Sequence, residues 1–231
     1  MNELINSQIP IEWRISKQYC PYLDAVSWME QRVADIYSGK ELETVWLLEH
    51  PPLYTAGTSA DPNELLNENK FPVYKSGRGG RYTYHGPGQR VAYIMLDLKK
   101  RGNDLRQYVY DLETWLIQTL AQFSILGERR EGRIGIWVGR GAKSNPNSYR
   151  EYKIAAIGVR VKKWIAYHGI SLNIEPNLSD FEGIIPCGVD EHGVTSLLDL
   201  GITASIPDVD TVLKKTFENV FRRHTSNTIL V

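Results

Sequence analysis

The residue best suited to covalent chemistry is Cys187, which lies between Pro186 and Gly188 in the segment FEGIIPCGVDEHGVTS. A cysteine thiolate is a strong nucleophile and can carry an acyl group as a thioester. Proline restricts the backbone before the sulfur and glycine leaves space after it, so a substrate could approach the thiol. The alternative is a small buried packing residue, a common role of cysteine. We interpret the other cysteine, Cys20, in that way.

A nucleophilic thiol needs a group that stabilises its anion, and Lys153, which opens the segment KIAAIGVRV, is one candidate. On strict strand alternation its face also holds Ala155, Ile157, Val159 and Val161. We therefore expect the lysine to begin a row of side chains that points into the protein. It either extends to solvent at the strand end or lies partly desolvated beside an anion. Sequence spacing alone does not show that it meets Cys187.

The densest group of unusual residues is GRGGRYTYHGPGQ, at positions 77–89. Gly79 and Gly80 allow a ligand or another backbone to come close, because they carry no Cβ atom. Arg78 offers fixed hydrogen-bond donors, and His85 offers an imidazole that titrates near neutral pH. A β-bulge followed by a tight Gly-Pro-Gly turn explains the same residues without a ligand, so both interpretations stay open.

Two histidines, His85 and His168, compete with Lys153 as partners of Cys187. A cysteine activated by histidine would make the protein a papain-type hydrolase or another acyl transferase. Residue types and spacing do not decide between these pairings.

The motifs do not support nucleotide or metal sites. GRGGRY lacks the third glycine of GxGxxG, and GRGAKS has Ala142 where the phosphate-binding loop requires glycine. The two cysteines and five histidines are scattered, whereas zinc sites usually have clustered ligands. We therefore predict no cofactor and no metal.

These residues must be positioned by a mixture of strands and helices. Apolar periodicity predicts helices over 23–37, from residue 103 or 104 to residue 127, and over about 208–223. Strands are predicted at ETVWLLEH, GRIGIWV, KIAAIGVRV and WIAYHGISLNI, the last two joined by a turn at Lys162-Lys163. Because strands and helices do not alternate strictly, we expect an α+β fold around a mixed sheet. No linker is visible, so residues 1–231 are expected to form a single domain.

Charge and hydropathy exclude some classes of function. The chain of 231 residues has 27 basic and 27 acidic side chains that are interleaved, so bulk charge predicts neither nucleic-acid nor membrane-surface binding. No apolar run approaches the roughly 20 residues of a membrane helix. The first residues, MNELINSQIP, lack the basic and apolar regions of a secretory signal. These features predict a cytoplasmic protein that binds neither nucleic acid nor membrane.

Five segments together resemble the signature blocks of the bacterial lipoyl(octanoyl) transferases, the octanoyl–acyl-carrier-protein:protein transferases. They are LLEHPPLYTAGTSA, RGGRYTYHGPGQ, KIAAIGVRV, HGISLNI and FEGIIPCGV followed by VTSL. They occur in the family's order over about residues 47–198, which is most of the chain. The resemblance implies the fold of biotin and lipoate protein ligases, a mixed sheet flanked by helices.

The resemblance also implies roles for individual residues. Cys187 would carry the acyl group as a thioester, and Lys153 would pair with the thiol and stabilise its thiolate. The acyl pocket would be lined by Arg78, Gly79, Gly80, Arg81, Tyr82, Thr83, Tyr84, His85, Ala156, Ile157, Gly158, Gly169, Ile170 and Ser171. Two features depart from the family: the loop 139–152 is longer than usual, and Ser171 replaces an alanine of the HGxALN pattern.

The activity implied by the resemblance is transfer of an octanoyl group without a cofactor. The donor would be octanoyl-acyl carrier protein, and the acceptor would be the lysine of lipoyl domains in 2-oxo acid dehydrogenases and the glycine cleavage system protein. Two other interpretations stay open. An ATP-dependent lipoate–protein ligase would share the fold but needs no thiol, and a non-catalytic module could bind acyl carrier protein or lipoyl domains with Cys187 buried and inert.

Overall fold

The computed structural model of the chain describes residues 9–141, 149–185 and 192–231. The described residues form the strands β1 (Ile11–Ile15), β2 (Thr44–Leu48), β3 (Leu53–Ala56), β4 (Val73–Lys75), β5 (Tyr82–His85), β6 (Gln89–Asp97), β7 (Ile136–Arg140), β8 (Arg150–Lys162), β9 (Ile165–Asn173), β10 (Gly193–Val194) and β11 (Thr225–Leu230). An eight-stranded sheet has the order β10-β8-β9-β6-β2-β1-β11, with β7 also paired to β8, and a smaller sheet has the order β4-β3-β5.

The large sheet is mixed. Strand β1 runs parallel to β2 and β11, and β8 runs parallel to β10, whereas the other pairs are antiparallel. Neither β1 nor β11 was predicted from the sequence. Both are short, and β11 (TSNTIL) is mostly polar and exposed, so hydrophobic periodicity gave no signal for a strand. Their pairing at one edge joins the two ends of the described chain.

Three α-helices in the described residues flank the large sheet: α1 (Tyr22–Tyr37), α2 (Leu105–Ala121) and α3 (Ile206–Phe221). The mixed sheet with flanking helices confirms the predicted fold class. Helix α2 starts as predicted, because the Asp104 side chain accepts the backbone N–H groups of Arg106 and Gln107. It ends at Ala121 and not at residue 127, because Ser124 has a φ of 59° that no helix continues. None of the helices in this described part has the length and apolar character needed to cross a bilayer.

The large sheet has two faces, and each face has its own hydrophobic core. Helices α2 and α3 cover the first face, which we call the helical face, and their core includes Trp115, Leu213 and Phe217. Helix α1 covers part of the opposite face, where Met29 packs with Tyr93. Successive side chains of β6 alternate between the two cores, which shows that they lie on opposite sides. We call the second side the cavity face.

Strands β8 and β9 form a hairpin that contributes to both faces. Its turn lies at Lys163-Trp164, one residue later than predicted, because Lys162 still pairs with Ile165. Both turn residues have positive φ, 54° and 67°. This is the geometry of a two-residue type I′ turn, whose twist matches that of the strands.

Candidate active site

A narrow cavity of about 50 Å³ lies on the cavity face, between the segment 78–85 and strands β6, β8 and β9. The residues predicted for an acyl pocket that line it are Arg78, Gly80, Arg81, Tyr82, Thr83, His85, Ala156, Ile157, Gly158, Gly169, Ile170 and Ser171, together with Lys153. Tyr22, Val91, Tyr93, Ile134 and His168 also line it. Segments far apart in the sequence therefore meet at one cavity.

The segment that carries Arg78 lies directly on the sheet, and Gly158 of β8 leaves the space for it. The backbone N–H of Gly79 donates to the carbonyl oxygen of Val159 in β8, at 3.0 Å. A Cβ atom added to Gly158 would lie 2.9 Å from Cδ of Arg78 and 3.2 Å from the carbonyl oxygen of Gly79. Any larger residue at position 158 would therefore push the segment off β8.

Arg78 forms a rigid, charged part of the cavity wall. Its guanidinium donates to the side chain and carbonyl oxygen of Thr55 at 2.7 and 2.8 Å. It also donates to the carbonyl oxygens of Gly79 and Arg81, each at 2.9 Å. These bonds fix the loop 78–81 to strand β3 and hold the guanidinium in one orientation.

Two residues of the predicted pocket, Gly79 and Tyr84, do not line the cavity. The role of Gly79 in the structure is the backbone contact to β8. The Tyr84 ring packs against Phe181, with ring centroids 5.1 Å apart, and its hydroxyl donates to Oδ2 of Asp180 at 3.1 Å. Burial, reinforced by the Asp180 carboxylate, raises the pKa of Tyr84. Tyr84 therefore anchors the 3₁₀ helix Leu178–Gly183, which precedes Cys187 in the sequence.

A β-bulge in β8 changes the direction in which Lys153 points. Ile136 of β7 pairs with Ala155, but the next residue of β7, Trp137, pairs with Lys153, so the register shifts at Ile154. One strand therefore places two residues opposite one residue of its neighbour. As a result Ile154 and Ala155, although consecutive, both lie in the core of the helical face.

Because of this bulge, Lys153 lines the cavity with Ala156 and Gly158. The expectation that it shares a strand face with Ala155, Ile157, Val159 and Val161 is wrong. Strict alternation, on which that expectation rested, holds only where the ladder is regular.

The Lys153 ammonium is held at one end of the cavity lining. The residue is 6% exposed. Its Nζ donates to the carbonyl oxygen of Ile134 at 3.0 Å and lies 4.7 Å from the centroid of the Trp137 ring. The Lys153 carbonyl oxygen accepts the backbone N–H of Thr195 at 3.0 Å, next to the β10 residue Val194 that pairs with Lys153.

Cys187 lies outside the described residues, as do its neighbours Pro186 and Gly188 and the part 142–148 of the long loop. The described residues on either side of it have defined contacts. The backbone N–H of Ile185 donates to the carbonyl oxygen of Glu64 at 2.8 Å. The ring of His192 packs edge-on against Trp137, with centroids 5.4 Å apart, and Trp137 is also the ring that the Lys153 ammonium faces.

Three buried histidines stand on the side of the cavity nearest α1. The sequence motifs indicated His85 and His168 but not His50, which precedes Pro51-Pro52 and carries no motif of its own. His50 Nδ1 bonds the carbonyl oxygen of Cys20, and its Nε2 bonds the Tyr93 hydroxyl, both at 2.6 Å. Since a carbonyl only accepts, Nδ1 of His50 carries the proton and Tyr93 donates to Nε2.

The hydrogen bonds of Gln89 determine the tautomer of His85. The Gln89 amide nitrogen donates to the Tyr84 carbonyl oxygen at 3.2 Å and to Oδ1 of Asn173 at 2.9 Å. Its amide oxygen therefore faces Nδ1 of His85, at 2.7 Å. Nδ1 must donate, so the network assigns the proton to Nδ1 and leaves Nε2 as an acceptor.

All three histidines are neutral at pH 7. Burial is the main reason that the pKa of His85 is lowered to about 3; the neighbouring His50 and Arg78 act in the same direction, and the bond from Gln89 opposes them. Burial and the nearby Arg78 lower the pKa of His168 to about 3. Burial also lowers the pKa of His50 to about 4, despite the bond to the Cys20 carbonyl.

The geometry can be compared with known proteins. The profile of the lipoyl protein ligase A/B catalytic domain matches residues 21–218. An octanoyltransferase of Paramagnetospirillum magneticum is 62% identical over 212 residues, which cover 92% of this chain and 97% of that protein. The chain belongs to the octanoyltransferase family. This confirms the family that the five sequence blocks predicted.

Solved structures agree with this family in fold. A lipoate-protein ligase A bound with ATP superposes with a TM-score of 0.68 at 14% identity, over 95% of this chain and 90% of that one. The bi-partite lipoate protein ligase of Thermoplasma acidophilum, described with its E2 lipoyl domain, gives a TM-score of 0.66 at 14% identity, over 95% and 88% of the two chains. At such identities the likeness concerns the fold alone. It confirms the ligase-like architecture expected of an octanoyltransferase.

Proposed function

We propose that this octanoyltransferase moves an octanoyl group from acyl carrier protein to a lysine of lipoyl domains, through a thioester on Cys187. The observation that carries the proposal is the cavity lined by Lys153 together with the predicted acyl-pocket residues of segment 78–85, β8 and β9. The acceptors would be lipoyl domains of 2-oxo acid dehydrogenases and the glycine cleavage system protein.

The described contacts around Lys153 support its pairing with Cys187. Val194 follows Cys187 by seven positions and pairs with Lys153 in the sheet. Ile185 precedes Cys187 by two positions, and the 3₁₀ helix before it is held by Tyr84. Both described flanks are thus fastened to elements that also border the cavity.

The first half of the reaction is an exchange of thioesters. The Cys187 thiolate forms a bond to the octanoyl carbonyl carbon, and the bond from that carbon to the pantetheine sulfur breaks. The leaving sulfur takes a proton from the Lys153 ammonium, which becomes a neutral amine. Donor and product are both thioesters, so no activation by ATP is required.

The second half is aminolysis of the enzyme thioester. The neutral ε-amine of the acceptor lysine forms a bond to the carbonyl carbon, and the bond to the Cys187 sulfur breaks. Lys153 takes a proton from the attacking nitrogen, which regenerates the ammonium beside the thiolate. Formation of an amide from a thioester is downhill and drives the transfer.

The buried histidines do not suit the alternative of a cysteine activated by histidine. With a pKa of about 3, both His85 and His168 are neutral and poorly basic at pH 7. A base of that strength holds a proton far less well than a thiolate, whose acid has a pKa of about 8.5. Lysine is therefore the better partner of the thiol in this cavity.

Intact mass spectrometry after mixing with octanoyl-acyl carrier protein tests the proposal. The protein is expected to gain the mass of one octanoyl group, and to lose it when a lipoyl domain is added. Cys187→Ala should give no adduct, whereas the matched variant Cys20→Ala should be acylated as before. Acylation of Cys187→Ala, or turnover with free lipoate and ATP instead of the thioester, would contradict it.

The Lys153→Arg variant separates charge from proton transfer. It keeps a cation beside the thiol, but a guanidinium does not act as a base at neutral pH. Both the acylation and the aminolysis rates are therefore expected to fall. Unchanged rates in stopped-flow or quenched-flow experiments would remove Lys153 from the scheme.

We also propose that the whole chain forms one domain and that it acts in the cytoplasm. The sheet that joins β1 to β11 supports the first point. Cytoplasmic location is supported by the balanced charge and by the helices, none of which in the described residues suits a bilayer. Fractionation with a tagged chain tests the location.

A further inference from the structure

His168 has a backbone conformation that is unusual for a strand residue. Its φ is 59°, in the left-handed region, although it lies in the middle of β9 and is not glycine. Such a conformation costs about 1–2 kcal/mol for an L-residue. It persists only where the surroundings enforce it, and such outliers are concentrated at functional sites.

The left-handed backbone changes the face on which the His168 ring lies. Strict alternation would place His168 with Ala166 and Ile170, in the core of the helical face. Its ring instead stacks on Tyr167, with centroids 5.1 Å apart, and meets the edge of Tyr93 at 5.9 Å. Both tyrosines belong to the core on the cavity face. The strained residue therefore turns an imidazole into the cavity.

The residue that follows His168 must be glycine, because the neighbouring strand comes too close for a side chain. A Cβ atom at Gly169 would lie 2.2 Å from the carbonyl oxygen of Ala92 in the neighbouring strand. The dipeptide His-Gly thus combines a left-handed residue with one that carries no side chain at this point of β9.

The imidazole of His168 is a polar group in a buried place. The residue is 4% exposed and lines the cavity. Neither ring nitrogen makes a hydrogen bond to any residue that the structure describes, in contrast to His50 and His85. A neutral imidazole can bond water or a hydroxyl group, but it gains nothing from a methylene group.

His168 and Lys153 both line the cavity and lie well apart along the sheet. His168 pairs with Val159, which is five ladder steps from Lys153 along β8 because the bulge at Ile154 takes up one position, or about 16 Å between backbones at about 3.3 Å per step. Ala156, Ile157 and Gly158, which lie between them on β8, line the same cavity. An acyl group whose thioester lies near Lys153 would therefore extend its methyl end toward His168.

We infer that His168 is a specificity-determining residue that ends the acyl cavity with a polar group and thereby limits the length of the acyl chain. The inference rests on the proposed function. A longer chain must press additional methylenes against an imidazole that loses its access to water. Leaving a buried polar group unpaired disfavours such a chain by about tenfold or more.

The test compares rates of acylation by octanoyl- and dodecanoyl-acyl carrier protein, read by intact mass. His168→Gly accepts the φ of 59° and removes the imidazole, so the dodecanoyl-to-octanoyl rate ratio should rise about tenfold or more. His168→Asn also tolerates this backbone but keeps a polar side chain, so its ratio should stay near that of the unsubstituted protein. Tyr167→Phe keeps the stacked ring and serves as the matched control.

An unchanged ratio in His168→Gly would overturn the inference. So would an equal rise in His168→Gly and His168→Asn, because the ratio would then follow side-chain size and not polarity. Failure of the proposed function gives a different result, since the unsubstituted protein would then form no octanoyl adduct.

A pair of substrates tests the same point without any substitution. An 8-hydroxyoctanoyl chain and a nonanoyl chain have the same length, but only the first ends in a group that can bond the imidazole. The unsubstituted protein should accept 8-hydroxyoctanoyl in preference to nonanoyl, by about tenfold. Equal rates, or a preference for nonanoyl, would show that His168 does not contact the end of the acyl chain.

Discussion

The helical face and the cavity face of the large sheet are built from the same strands in different ways. On the helical face, regular alternation along β6 places Ala92, Ile94 and Leu96 in a continuous core with side chains of α3 such as Leu213 and Phe217. A β-bulge at Ile154 and a left-handed residue at His168 interrupt this alternation in β8 and β9. Both irregularities point a polar side chain into the cavity.

The difference shows which face stabilises the fold and which face carries groups that lower its stability. The helical face gains free energy mainly from buried apolar area, and the charged pair buried there, Arg90 of β6 with Asp210 of α3, is hydrogen-bonded. The cavity face holds neutral histidines, a buried guanidinium and a buried ammonium, each of which costs desolvation. Substitutions on the first face should therefore change stability, and substitutions on the second should change chemistry.

The largest expected effect is on the cavity face. Lys153→Met should lower the rate of octanoyl transfer about thousandfold, because one group both stabilises the thiolate and moves the proton in each half-reaction. Single-turnover transfer to a lipoyl domain measures the effect. Lys162→Met, at the exposed end of the same strand, is the control. A loss of less than about threefold in Lys153→Met would contradict the scheme.

On the helical face we expect a substitution to lower stability and leave activity nearly unchanged. Leu213→Ala removes a fully buried side chain of α3 and should lower the free energy of unfolding by about 3 kcal/mol. The activity of the folded fraction should stay within about twofold, because α3 does not border the cavity. Denaturant unfolding and activity at low temperature measure the two quantities.

Gly158→Ala is the cavity-face counterpart of that substitution. The added Cβ would displace the Arg78 segment. The activation free energy of acylation should therefore rise by more than the free energy of unfolding falls. If instead Leu213→Ala slowed acylation as strongly as Gly158→Ala, the claim that the helical face determines stability and the cavity face determines activity would be wrong.

Acid should destabilise the protein through the cavity face. The pKa values of His50, His85 and His168 are lowered to about 4, 3 and 3, so the unfolded chain binds more protons between about pH 6.5 and those values. The stability from keeping them neutral is complete above about pH 6.5 and is lost as the pH falls. Each histidine should contribute about 2 kcal/mol to the loss between pH 7.5 and pH 5.

Urea unfolding at the two pH values measures this loss. His168→Asn should reduce it by about 2 kcal/mol, and the control His224→Asn, at an exposed position, should leave it unchanged. A loss in His168→Asn as large as that of the unsubstituted protein would show that this histidine is not neutral in the fold.

The smallest effect on stability is expected at Tyr84, which does not line the cavity. Tyr84→Phe removes the hydrogen bond to Asp180 and should lower the free energy of unfolding by about 1 kcal/mol. The loss is modest because the Asp180 carboxylate keeps its ion pair with Lys70, at 3.2 Å. Tyr19→Phe, at an exposed tyrosine, is the control in thermal unfolding. A loss above about 3 kcal/mol would mean that Tyr84 holds more of this region than its hydroxyl bond explains.

The fold could be predicted from the sequence wherever a local signal existed. Helix α1 and the start of α2 follow from apolar spacing and from the cap at Asp104. The end of α2 and the strand β11 could not be predicted in this way. A positive φ at Ser124 has no local cause in the sequence, and β11 is stabilised by its pairing with β1, some 200 positions away.

By itself the sequence determined the family, the mixed α+β architecture and most of the residues that surround the cavity, because those features are carried by residue types in order along the chain. Only the tertiary structure decided that Lys153 leaves the row of Ala155 and Ile157, that His168 turns away from the helical core, and that Tyr84 anchors a neighbouring segment. The direction of a strand side chain depends on register and on backbone dihedrals. Both are set by contacts between segments far apart in the sequence, so no local pattern encodes them.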